Sequence, residues 1–148
     1  MPTLTVMDRI LVHGEQAGIP GYILENVRQR TERHHQAVKE AYDMGVNIGC
    51  GTDAGSMLTP HGSAGREIVQ LVRCGLTPMQ ANEIATRNTA RLLKMDDVGT
   101  LEEGKLADVI IVEGDVADDV RRLEVAGNMR NVFVGGRAAA AGGSALRH

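Results

Sequence analysis

In "VNIGCGTDAGSMLTPHGSAGRE" an apolar run ends at Asp53, a glycine-rich bend follows, and His61 and Gly62 come shortly after. A carboxylate at the end of a buried strand can hold a divalent metal ion, or move a proton between an attacking water and a departing group. Gly51 and Gly55 on either side keep the backbone close and unobstructed, so such a carboxylate can reach a ligand instead of packing away. A plainer reading of the same residues is that Asp53 caps the turn after the strand, as aspartate often does.

The remaining polar candidates divide on geometry. His34 and His35 are adjacent in a helical pattern and so point about 100° apart, whereas chelation from a helix uses residues one turn apart. His34 falls on the apolar stripe as a packed residue, and His35 faces more toward solvent. His13 fits a loop or helix start, and His148 lies in the tail. Cys50 and Cys74 lack the spacing of a zinc knuckle or a redox pair, and Cys50 in an apolar run reads as a small buried hydrophobe with a reduced thiol. Glu102 and Glu103 read as a solvated turn, and "EGDVADD" lacks the oxygen-ligand spacing of a calcium loop.

An alternation of strands and helices must position Asp53. "PTLTVM" reads as a short buried strand, and "YILENVRQRTERHHQAVKEAYDMG" as a helix with Gly45 placed at its C-terminal cap. "VNIGCGT" reads as a second strand, and a further helix begins near Ser63. In "LTPMQANEIATRNTARLLKM", Thr77 at the N-cap, Pro78 at the first helical position and Gln80 three after the cap predict a capping box. After Lys94 the texture changes: "ADVIIVEGD" and "RNVFVGGRAAA" are β-rich runs separated by turn residues. The expected division is an α/β part over 1–97, strands of a second unit over 98–140 and a flexible tail over 141–148.

The totals set limits on function. With 148 residues and 43% hydrophobic content, one domain with a core is expected, although only Tyr22, Tyr42 and Phe133 are aromatic. The 16 basic and 19 acidic residues are interspersed, for a net charge of −3, and no basic stripe is available to bind nucleic acid. No apolar run approaches the roughly 20 residues that span a bilayer, and no leader pattern opens the chain, so a cytoplasmic protein without a membrane partner is expected.

"GCGTDAG", "PHGSAGRE", "GLTPMQANEIATRNTARLLKM" and "VGTLEEGKLADVIIVEGD" resemble, in order and spacing, the C-terminal part of the metal-dependent amidohydrolase superfamily, nearest its prolidase-like and imidazolonepropionase-like branches. The resemblance runs from about Pro2 to Arg137 and departs at Met7, where relatives often carry tyrosine. It implies an α/β fold: strands 7 ("PTLTVM") and 8 ("VNIGCGT") of a TIM-type (β/α)8 barrel with their helices, followed by part of a small β-sandwich. It also implies that Asp53 binds divalent metal, most often zinc, and shuttles the proton, and that His61 and Gly62 lie beside the substrate. The family's other metal ligands belong to barrel strands outside these residues.

The expectation is therefore a fragment of a hydrolase that uses metal-activated water on the C–N bond of an amide, dipeptide or cyclic amide, inactive alone and binding metal weakly or not at all. The alternatives are a self-associating structural module without catalysis, and an enzyme reconstituted between chains. Two barrel strands would leave unpaired edges beside apolar helix faces, so a homo-oligomer is expected.

Overall fold

The computed structural model describes residues 1–56 and 58–141. Three helices, α1 (Leu4–His13), α2 (Gly21–Asp43) and α3 (Ala64–Arg73), surround a core that includes Leu4, Val38, Ile48, Leu71, Leu76 and Ile84. Gly45 ends α2 as its sequence position predicts: it takes φ +77°, and Val46 N–H donates back to the Ala41 carbonyl at 3.0 Å. The capping box also forms. Gln80 N–H donates to Thr77 Oγ1 at 3.3 Å, Thr77 N–H donates to Gln80 Oε1 at 2.9 Å, and Pro78 opens α4 (Pro78–Glu83). The helix continues through one π-helical stretch, Ile84–Asn88, into α5 (Thr89–Leu92).

The two expected strands in this half do not form. "PTLTVM" enters α1 at Leu4, because Leu4, Leu11 and the residues between them have helical spacing and no neighbouring strand offers a ladder. The start of α1 has no side-chain cap from Thr3; the carboxylate of Glu67 takes that place, accepting from Leu4 N–H at 2.8 Å and Thr5 N–H at 2.7 Å. Residues 46–52 are buried at Ile48 and Gly49 yet pair with no strand among the described residues. The Cys50 N–H is held instead by a side chain, Thr89 Oγ1, at 2.9 Å.

The β-rich unit forms as its runs predict. The strands β1 (Val109–Val112), β2 (Met129–Val134) and β3 (Arg137–Ala141) make an antiparallel sheet in that order, with Val109 opposite Phe133. Gly135 and Gly136, at φ +55° and +76°, make the two-residue turn between β2 and β3. Two 3-10 turns, Val120–Glu124 and Ala126–Asn128, interrupt the connection from β1 to β2. The first presses on α3 at Gly65, where a Cβ would stand 2.1 Å from the Leu123 carbonyl oxygen. Residues 142–148, most of the expected tail, lie outside the described residues. Among the described residues no helix is long and apolar enough to cross a membrane.

Candidate functional site

Asp53 directly follows segment 46–52, which is buried at Ile48 and Gly49, and is itself exposed. Its backbone takes φ +47°, a left-handed conformation that aspartate tolerates better than most side chains and that is enriched at functional sites. Among the described residues its carboxylate does not cap the turn. Thr52 Oγ1 accepts from Ala54 N–H at 3.2 Å, and the Asp53 carbonyl accepts from Ser56 N–H at 3.3 Å. Gly55 N–H closes the loop onto the Thr59 carbonyl at 2.8 Å. Among the described residues no ion pair or hydrogen bond engages the Asp53 carboxylate, which leaves it available for chemistry.

His61 and Gly62 line a pocket of about 230 Å³ together with Arg9, Ser63, Arg66 and Glu124. The His61 Nε2 lies 3.6 Å from the place a Cβ on Gly55 would occupy, so the ring sits against the loop that carries Asp53. Asp53 itself does not line that pocket. The wall is cross-braced: Arg66 reaches Asp8 at 3.1 Å and Glu124 at 3.4 Å, Arg73 reaches Asp8 at 2.9 Å, and Arg9 Nε donates to the Leu58 carbonyl at 2.9 Å. A larger cavity of about 590 Å³, between α4, the π stretch and Gly99–Leu101, contains none of the three expected site residues.

Two further residues shape the site without having been apparent as candidates. Glu67 is fully buried, and burial pushes its carboxyl above the usual range, while the Thr5 and Leu4 bonds pull it down and the Asp53 charge adds to the rise. Its signal in the sequence is a carboxylate on the stripe Glu67, Leu71, Cys74, which repeats at helical spacing and is otherwise apolar. Thr89 left no comparable signal, because its role depends on the π stretch before it. Cys50 and Cys74 are free thiols, and burial first, then the Glu67 charge, pushes both up to about 12. That agrees with inert small hydrophobes. His34 Nδ1 lies 3.3 Å from Met7 Sδ, and burial first, then His34, pushes the His35 imidazole down.

A zinc centre takes three or four protein ligands. Among the described residues no group of three His, Cys, Asp or Glu side chains is placed to hold a metal ion, and Asp53 with His61 would supply two at most. This chain's described residues do not by themselves fit such a centre.

The amidohydrolase family profile matches residues 2–139. Over 83 residues the chain is 42% identical to Adenine deaminase 2 of Rhizobium meliloti (strain 1021), covering 53% of this chain and 14% of that protein. It superposes on the crystal structure of a Xaa-Pro dipeptidase with methionine bound in the active site, with TM-score 0.73 and 30% identity, over 91% of this chain and 33% of that one. It also superposes on the A. niger ochratoxinase structure, with TM-score 0.78 and 26% identity, over 95% of this chain and 31% of that one. The chain thus spans about a third of these solved relatives and less than a fifth of the deaminase.

Proposed function

Because this chain belongs to the amidohydrolase family, whose members generally use divalent metals, we propose that it supplies Asp53 to the active site of a hydrolase acting on C–N bonds. The observation that carries this reading is the Asp53 carboxylate itself, exposed just past a segment buried at Ile48 and Gly49, in left-handed backbone and, among the described residues, without a hydrogen bond of its own. Such a carboxylate accepts a proton from the attacking water and returns it to the departing nitrogen. His61 and Gly62 border the substrate, in a pocket that Arg9 and Arg66 help to wall. Asp53 would be one ligand of the divalent metal, zinc by preference, whose other ligands would come from other polypeptide, and the metal would supply activation of the attacking water.

In the complete assembly, residues 1–97 form the last part of a (β/α)8 barrel, and 98–140 form a share of the flanking sandwich. Segment 46–52, which pairs with no strand among the described residues, is flanked there by barrel strands, with the Cys50 N–H still held by Thr89. The chain alone is inactive, and it associates with complementary polypeptide or with a second copy to cover its unpaired backbone. Elemental analysis of the purified 148-residue chain after dialysis checks this; one or more zinc ions retained per chain contradicts it.

The substrate is an amide, by likeness to the Xaa-Pro dipeptidase over 91% of this chain. The 42% identity to an adenine deaminase favours a second reading, in which the C–N bond broken belongs to an exocyclic amine. A substrate panel on the assembled protein separates the two. Amide hydrolysis of Xaa-Pro dipeptides or N-acyl amino acids releases a carboxylic acid with an amine, and deamination of adenine releases ammonia. Hydrolysis of neither class overturns the reading of a C–N hydrolase.

A further inference from the structure

The hydroxyl of Thr89 makes two hydrogen bonds at once. It donates to the Ile84 carbonyl at 2.7 Å and accepts from Cys50 N–H at 2.9 Å. A helical threonine usually bonds back to the carbonyl four residues earlier and faces away from other elements. Thr89 bonds five residues back, across the π stretch Ile84–Asn88, and its own backbone N–H also reaches Ile84. The π turn adds one residue to the helix, and each residue advances an α-helix by about 100°. That rotation sets which face of α5 carries Thr89, and the face it carries is the one meeting segment 46–52. The hydroxyl proton is committed to Ile84, so its lone pair is left for Cys50.

This bond matters because little else fixes the segment. Residues 46–52 pair with no strand among the described residues, and past Val46 the Cys50 N–H is their one donated hydrogen bond there. The backbone approaches α5 closely: a Cβ on Gly49 would stand 2.7 Å from Leu92 Cδ1 and 3.3 Å from Thr89 Oγ1. Asp53 comes three residues after Cys50. We propose that Thr89 is a positioning residue for Asp53, its hydroxyl fixed by the π turn and anchoring the Cys50 amide from which the loop springs. This rests on the reading of Asp53 as the proton carrier, but the anchor is measurable without it.

The test compares Thr89→Val, which keeps the shape and removes the hydroxyl, with Thr89→Ser, which keeps the hydroxyl. The readout is the alkylation rate of the two thiols in the 148-residue chain, followed by peptide mass spectrometry. Cys74 is buried and Cys50 partly buried, and burial pushes both thiols up to about 12, so a faster reaction near neutral pH reports a more open state. Thr89→Val should raise the Cys50 rate about tenfold or more, leave Cys74 unchanged, and be restored by serine, because the valine leaves a sheltered N–H without a partner. Unchanged Cys50 labelling, or equal acceleration at both cysteines, overturns the anchor. If the valine variant does not fold, Thr89→Ala against Thr89→Ser carries the same contrast. In the assembled enzyme Thr89→Val should lower kcat about tenfold with KM held within about twofold, as for a misplaced proton carrier. Faster Cys50 labelling with unchanged kcat overturns the positioning role. If Thr89→Val opens Cys50 while Asp53→Asn leaves turnover intact, the anchor stands and the reading of Asp53 fails.

Discussion

Residues 4–93 are joined by bonds that cross the sequence, whereas β1, β2 and β3 are joined neighbour to neighbour. Glu67 holds α1 across 62 and 63 residues, Thr89 holds Cys50 across 39, and Arg66 and Arg73 hold Asp8 across 58 and 65. The sheet closes through a two-residue glycine turn, and Ile110, Ile111 and Val134 remain about half exposed on it. Among the described residues, only Val120 of the buried core comes from beyond residue 97. The difference teaches that the region presenting Asp53 is tied together by an apolar core and by polar contacts between distant residues, only those of Glu67 fully buried, while the sheet is held by pairing between successive strands.

The largest loss of stability should come from Gly65, the seam between the two regions. A Cβ there meets the Leu123 carbonyl oxygen at 2.1 Å, so Gly65→Val should cost about 3 kcal/mol or more by forcing α3 and the 3-10 turn apart. Denaturant unfolding measures it, and a loss under about 1 kcal/mol would show that the seam yields freely. Next is Glu67→Gln, whose amide turns a donor toward one of two N–H groups at the start of α1. A loss of about 1–3 kcal/mol is expected, and a neutral result denies the polar contact its importance.

Glu67 also gives a pH dependence whose sign follows from the upward shift that burial imposes on it. Burial raises its folded pKa above the unfolded value, so between the two the folded chain binds more protons than the unfolded one. Its contribution is complete below the unfolded pKa and is lost as pH rises through the folded pKa. Unfolding midpoints of the natural chain minus those of Glu67→Gln, taken across that window, should fall with rising pH; a rise contradicts the assignment. The smallest effect belongs to the sheet: Ile111→Thr, half exposed and β-branched before and after, should change stability by within about 0.5 kcal/mol. A loss as large as that of Glu67→Gln would erase the contrast between the regions.

What the sequence revealed follows the same division. Features decided within one turn could be read directly: the Thr77 and Gln80 capping box, Gly45 at the end of α2, the start of α3 after Ser63, and the β-rich runs after Val98. Features that need a distant partner could not. "PTLTVM" and "VNIGCGT" have strand composition, but a strand exists only with a ladder, and here Glu67 and Thr89 satisfy backbone N–H groups that neighbouring strands would otherwise hold. Asp53, His61 and Gly62 stand out only by the resemblance of "GTDAG" and "PHG" to the family, and the structure sets them on one loop system with Asp53 outside the pocket of the other two. The π stretch that turns Thr89 toward Cys50 has no composition of its own.

The central claim is that this chain contributes Asp53 as the proton carrier of a site completed by other polypeptide. Its most direct test is the turnover of the assembled enzyme with Asp53→Asn, which keeps size and removes charge and basicity. The account predicts a fall of about 100-fold or more, as for loss of an acid/base group, with unfolding of the isolated chain nearly unchanged because Thr52 caps the turn. Turnover close to that of the natural sequence, from an assembly that still binds its metal, would contradict it.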